Sequence, residues 1–343
     1  MNLTNEENVF MDNLKERVTI YEVAKASGVS LATVSRVINN QDNVTPQTRE
    51  KVQATIARLG YKPSGLAQAL AKNKSTNIGV VIPSANYVYI SNLLHGITEV
   101  AKEKGFVLSL FVTSHSKKDA LSVVDKVITS HVDGAIVFDD ELDADDFEKL
   151  SSYYVPTIVI NNNIQSERVG SITFGYEHNL ERLLANHFAK DNEKRPVFLH
   201  VHNCGQLLNR TEKAFIRSCE NAGREYRIFN VDDSYTRSYA DFIEYFKEHK
   251  NGYFVAYRDS IAAAIVNAAT DSGLNVPDDV EVVSLIGTKY ANITRPTLSS
   301  MHINMKDVGE RSMYMLIELM NHELQQRTYK FESSYTKRDS TKE

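Results

Sequence analysis

Between Val18 and Asn39 the chain reads VTIYEVAKASGVSLATVSRVIN, the pattern of two short helices around a tight turn. Ile20, Val23 and Ala24 make an apolar stripe at helical spacing, and Gly28 falls where the chain must turn sharply. Val29 plugs the turn, Ser30 can cap the next helix, and Val34, Val37 and Ile38 face inward. The outward positions are Leu31, Ala32, Thr33, Ser35 and Arg36, small or hydrogen-bonding groups that leave room for base edges and phosphates. Such a surface suits DNA and makes a poor catalytic site. Any amphipathic helix pair gives the same packing, so the residues beyond Asn39 must carry part of the reading.

VTPQTREKVQATIARLGY starts a third helix at Thr45-Pro46, a capping residue with proline in the first turn, and Val52, Ile56 and Leu59 give it an apolar face. Tyr61-Lys62-Pro63-Ser64 then leads into GLAQALAKNKST, good helix formers ending in a polar, basic linker. The net charge of −5 looks wrong for a DNA binder until it is divided. Residues 18–75 carry +5, residues 1–17 carry −2 and the remainder −8, so a basic head sits on an acidic body.

The body alternates strands and helices. Short β-branched runs at Ile78–Ile82, Val107–Val112, Ala135–Phe138 and Thr157–Ile160 are followed, after Phe174, by Val197–Val201, Tyr253–Ala256 and Val280–Leu285. Near-continuous apolar strands separated by helices indicate parallel sheets covered on both faces. Two such series predict two doubly wound α/β subdomains with a cleft at the carboxyl ends of the strands. At 343 residues the chain is long enough for this plus a head. No stretch of 18 apolar residues and no signal-like start occur, and two cysteines, Cys204 and Cys219, make no disulfide framework. A cytoplasmic protein with no membrane partner is expected.

These residues resemble the lactose/galactose repressor (LacI/GalR) type of bacterial transcription regulators. The matching words are VTIYEVAKASGVSLATVSRVIN, TREKVQATIARLGYKPSGLAQALA, IGVVIP, LLHGITEVAKEKGF, DGAIV and the closing KRDST, spread from about Val18 to Thr341. The resemblance implies a helix-turn-helix head, a hinge helix and a two-lobed core like periplasmic binding proteins, the chain crossing between lobes three times. On this reading residues 1–17 are a disordered extension, 18–62 the DNA-binding domain and 63–76 the hinge helix and linker. Residues 77–174 with 299–327 form one core subdomain and 175–298 with 328–343 the other, with crossings near Phe174, Ser299 and Arg327.

By resemblance, Leu31, Ala32 and Arg36 touch base edges in the major groove. A guanidinium can bind guanine O6 and N7 with two hydrogen bonds, whereas Leu31 and Ala32 read only by apolar contact, as with a thymine methyl. Thr19, Ser30, Thr33, Ser35 and Asn39 contact phosphates and set register; for Ser30 and Thr33 helix capping is the plainer role. Leu70 matches the family's leucine lever, pushed into the minor groove at the centre of a palindromic operator, with Ser64 and Ala67 facing the same groove. The wedge requires two hinge helices packed together, hence a homodimer. Leu93, Leu94 and Ile97 are candidates for its interface, although the same stripe also fits core packing, and with no trailing leucine heptads after KRDSTKE no tetramer is expected.

The cleft departs from the family. The arginine that precedes the phenylalanine of a Gly-Phe pair by four residues is Thr211 here, with Arg210 one residue early. Where sugar-binding members carry Asn-Asp, this chain has Arg258-Asp259, and Ile286 replaces the aspartate that grips sugar hydroxyls. Arg210, Arg258 and Lys289, with His202 and Ile90 nearby, suit an anionic effector such as a sugar acid or sugar phosphate. The bland reading is that these are solvated or paired charges, with Asp259 capping the helix that starts at Ser260. A second mode of control is a phosphorylated carrier protein on a lobe surface, as in some relatives.

His200-Val201-His202-Asn203-Cys204 invites a metal reading, but no second Cys/His pair sits at matching spacing, so no metal and no cofactor are expected. With no phosphate loop, dinucleotide fingerprint or nucleophile elbow in the sequence, an enzyme or a solute-binding protein is the least favoured reading.

Overall fold

Three polar caps start the helices of the head. Thr19 caps α1 (Ile20–Ser27) in a capping box, its hydroxyl accepting from the Glu22 N–H while Glu22 Oε2 takes the Thr19 N–H at 2.7 Å. Ser30 caps α2 (Leu31–Ile38), and Thr45, followed by Pro46, caps α3 (Pro46–Leu59). Gly28 closes α1 at φ 63°, a left-handed conformation that a side chain would oppose, and donates its N–H to Ala24 O. Val23, Val34, Val37 and Val52 form the buried centre, with Ile20, Ala24, Val29, Ile38, Ile56 and Leu59 packed around it.

The computed structural model describes residues 18–62, 77–113, 117–138, 144–164, 166–190, 194–202 and 205–342. The chain divides into two compact units, 1–75 and 76–343, the head and the core. The expected extension 1–17 and hinge 63–76 lie outside the described residues.

The core holds two six-stranded sheets. The first runs in the order β11 (Thr328–Glu332), β5 (Val169–Gly175), β4 (Thr157–Ile160), β3 (Gly134–Val137), β1 (Asn77–Ile82), β2 (Val107–Val112), and all of its pairings are parallel. One face is covered by α4 (Val88–Lys104) and α12 (Met305–Met320). The other packs on α5 (Lys117–Thr129) and α6 (Ala144–Ser152) through Val124, Val127, Phe147 and Leu150.

The second sheet runs β12 (Ser334–Thr336), β10 (Ser299–His302), β9 (Val280–Ser284), β8 (Gly252–Ala256), β6 (Pro196–Val201), β7 (Arg227–Val231), with only β12 antiparallel. Alternate residues of its strands face opposite helix layers. Tyr253 meets His187 of α7 (Glu177–Ala189), and Phe198 meets Phe215 of α8 (Gly205–Asn221). Phe254 meets Phe242 and Phe246 of α9 (Tyr235–Glu248), which packs beside α10 (Asp259–Asp271). A short α11 (Lys289–Ile293) follows β9. Among the described residues no helix is long and apolar enough to cross a membrane.

Two crossings differ from expectation. Ser299–His302 pairs with β9 and so belongs to the second sheet, not the first, and Thr328–Glu332 pairs with β5 in the first, not the second. The segment thus returns to the first lobe at Ile303-Asn304, before α12, and leaves it again at Ser333. The physical reason is that SSMH and TYKFE are too polar to declare a sheet from their own pattern; their neighbours in space assign them. The first and third crossings are tied together, Ser333 N–H donating to Gly175 O at 2.9 Å.

Candidate DNA interface and inter-lobe cleft

The head presents α2 to solvent along one side. Leu31, Ala32, Arg36 and Asn39 are exposed, while Val34 and Val37 on the opposite side are buried. The Arg36 guanidinium makes no hydrogen bond to the described residues and stands in the last turn of the helix. Ser30 and Thr33 share a hydroxyl–hydroxyl hydrogen bond of 2.8 Å beside the cap, so their capping role is built in. Asn39 donates to Ser35 O at 2.9 Å, and Arg49 of α3 donates to Asn40 Oδ1 and Gln41 O, fixing the turn after α2. Hydrogen bonds from Thr19 hold the Glu22 carboxyl below its ordinary value. Ser64, Ala67 and Leu70 lie outside the described residues.

In the core, a cavity of about 220 Å³ opens where loops at the carboxyl ends of strands from both lobes converge. Its walls include Tyr87 and Tyr89 from the first lobe, and Arg258, Asp259, Ile286 and Tyr290 from the second. Ligand pockets typically measure about 300–1,000 Å³, so this one is small. Asp259 opens α10, but its carboxylate serves the neighbouring loop, accepting the Thr288 N–H at 2.5 Å and the Thr288 hydroxyl at 2.7 Å. Burial pushes its carboxyl up against the opposing effect of the Ser284 and Thr288 hydrogen bonds.

Of the expected cleft residues, Arg258, Asp259 and Ile286 line this cavity. The rest are placed otherwise. Ile90 is fully buried in the core, and Thr211, also buried, spends its hydroxyl on Leu207 O of its own helix at 2.8 Å. Arg210 donates to Glu177 Oε1 at 3.1 Å, and Lys289 and His202 are exposed. The cations expected to gather around an anion are therefore separate: Arg210 and Arg258 each face a carboxylate of the chain, Glu177 and Asp233. His200 is engaged by Glu212 of α8 at 2.6 Å, and Cys204 lies outside the described residues. Leu93 and Ile97, candidates for a dimer interface, are fully buried inside the first lobe, because α4 turns that stripe onto its own sheet.

Sequence reasoning missed Tyr87, Tyr89, Asp233 and Tyr290. The available signal was position: Tyr87 and Tyr89 follow β1, and Asp233 follows β7, a strand whose RIFNV pattern is too short and mixed to stand out.

A helix-turn-helix head joined to a two-lobed, doubly wound core defines a DNA-binding transcription regulator. The comparisons specify which. Residues 19–64 match the bacterial regulatory proteins of the lacI family, and residues 185–341 match a periplasmic binding protein-like domain. Catabolite control protein A of Priestia megaterium is 30% identical over 315 residues, covering 89% of this chain and 93% of that protein. The HTH-type transcriptional regulator pepR1 of Lactobacillus delbrueckii subsp. lactis is 30% identical over 316 residues, covering 90% and 93%. The lac repressor dimer bound to operator and the anti-inducer ONPF shares the fold, with a TM-score of 0.79 at 24% identity over 95% of this chain and 99% of that one. The chain belongs to the lacI family of bacterial regulatory proteins.

Proposed function

We propose that this regulator represses carbohydrate-metabolism genes as a homodimer on a palindromic operator, under the control of its core. The observation that carries the DNA reading is the outer side of α2, where the exposed Arg36 guanidinium stands beside Leu31 and Ala32 without a hydrogen bond to the described residues. Arg36 then pairs with guanine, Leu31 and Ala32 contact thymine methyls, and Thr19, Ser30, Thr33, Ser35 and Asn39 meet phosphates. Ser64, Ala67 and Leu70 act in the minor groove by resemblance alone.

Dimerisation is supported by the edge of the first sheet, where β2 pairs with no further strand among the described residues. On β2, Val107, Leu110 and Val112 are exposed, and an apolar edge strand in water calls for a cover. A second copy of the chain provides one. The effector reading narrows: a small molecule in the cleft has about 220 Å³ and meets three tyrosines, Val88 and Ile286 alongside the polar groups of Asn86, Arg258, Asp259, Ser260 and Thr288. An anionic effector has less support, because Arg258, the one guanidinium among the described residues lining the cavity, is paired through Nη1 with Asp233.

Control by a phosphorylated carrier protein on a lobe surface is the second reading. The cleft's occupied guanidinium favours it, and it accords with relatives named for catabolite control. Selection of bound sequences from random duplex DNA, with and without pools of neutral sugars, sugar acids and sugar phosphates, tests both. A recovered palindrome that one pool abolishes supports the effector reading. A palindrome indifferent to every pool favours the carrier protein, and no enriched sequence at all defeats the operator proposal.

A further inference from the structure

The cleft holds a charged group of the chain's own. Arg258, at the carboxyl end of β8, is buried and ion-paired through Nη1 with Asp233, in the loop after β7. Its guanidinium carbon lies 4.0 Å from the ring centroid of Tyr87 and 5.3 Å from that of Tyr257. Tyr87 belongs to the other lobe, in the loop between β1 and α4, and its hydroxyl donates to the same Asp233 oxygen at 2.9 Å. One carboxylate oxygen of the second lobe is thus bonded from both sides of the cleft.

The tyrosine is firmly backed. Tyr89 stacks on Tyr87 at 5.4 Å between centroids, Phe138 meets Tyr89 at 6.1 Å, and Phe174 meets Phe138 at 6.3 Å. This aromatic row runs through the first lobe to the edge of the first crossing. Hydrogen bonds to an ionised acceptor are stronger than neutral ones, and a cation over an aromatic face gains most when desolvated. Both contacts of Tyr87 exist only while the lobes are together. Ile286 offers Arg258 no carboxylate, and Asp259 gives one oxygen, Oδ2, to Thr288, while its Oδ1 and the Arg258 Nε have no hydrogen-bond partner among the described residues.

We propose that Tyr87, Asp233 and Arg258 form an inter-lobe clasp that holds the core closed through the chain's own side chains. Regulation then acts by releasing this clasp. The proposal rests on the reading of the core as the controlling part of a regulator. It also bears on selectivity, since an anion entering the cavity competes with Asp233 for the Nη1 of Arg258.

Hydrogen exchange on the full chain without DNA tests the clasp, comparing the wild type with Asp233→Asn and Tyr87→Phe, alongside the radius of gyration from small-angle scattering. Asp233→Asn is expected to speed exchange in residues 84–90 of the first lobe and in 256–260 of the second together, by about tenfold, and to expand the core. Tyr87→Phe, which loses one oxygen and keeps the ring over Arg258, is expected to show a smaller increase in the same two segments. It decides alone if Asp233→Asn does not fold. Changes confined to the second lobe, or none, with an unaltered radius, overturn the clasp. The experiment contains no DNA, so a failure to bind any operator would defeat the regulatory reading and leave the exchange result standing.

Discussion

Gly96 of α4 and Gly309 of α12 lie against each other's backbones. A methyl group on Gly96 would overlap the Lys306 carbonyl oxygen, and one on Gly309 would overlap the carbonyl oxygen of Leu93. The two helices therefore cross at backbone distance over the first sheet, with Leu93 and Ile97 fully buried beside the crossing and Lys306 reaching Glu99 at 2.6 Å on its exposed flank. Gly309→Ala is expected to destabilise the core by about 1–3 kcal/mol, since backbone cannot yield as a side chain does. The change should appear as a lower urea midpoint at constant slope, and an unshifted midpoint would show that the helices part freely.

Arg36→Ala should relax base preference at one symmetric pair of operator positions by about 1–3 kcal/mol. A binding-site selection with the variant measures it. A preference profile identical to the wild type would remove Arg36 from base readout.

On the proposed lever role, Leu70→Ala should weaken specific binding by a few kcal/mol and spare the salt-sensitive, non-specific component, because a wedge acts only on a kinked operator. Titrations over a range of salt concentrations, on operator and on random duplex, separate the two. Equal loss on both would mean that Leu70 is no lever.

Stability should fall as pH drops below about the ordinary imidazole value of 6.5, in part through His187. Burial lowers its pKa, against the hydrogen bond to Lys194 O and the attraction of Glu281, while Lys194 and Arg224 lower it further. The unfolded chain therefore takes up this proton at a higher pH than the folded one, so stability is complete above the unfolded value and is lost as acid is added. Thermal unfolding from pH 8 to 5 should show the decline, less steeply in His187→Gln. Parallel curves for the two proteins would exclude His187 as a contributor.

The head was legible because its determinants are local. Thr19 with Glu22, Ser30 with Thr33, and Thr45 before Pro46 are caps that operate within three or four residues, and the valines they place inward follow from helical spacing. The central strands of the core were legible for a similar reason: IGVVI or FVA can lie only between covering layers. The edge strands were not, since SSMH, TYKFE and RIFNV draw their identity from partners far along the chain. The cleft was the least legible part. Arg258 was visible as a cation, but its partner Asp233 is 25 residues away and Tyr87 lies on another lobe, so its charge could not be seen as already met.

The interleaving of the lobes has a consequence for the order in which the protein is made. The sheet begun at Asn77 gains its last strand only when Thr328–Glu332 has been synthesised, and the sheet begun at Pro196 waits for Ser334–Thr336. A ribosome-bound chain thus carries two sheets with open edges until nearly the whole core has been translated, and both are completed within a few residues of each other. The lobes mature together, late, and the first lobe's early start gives it no head start.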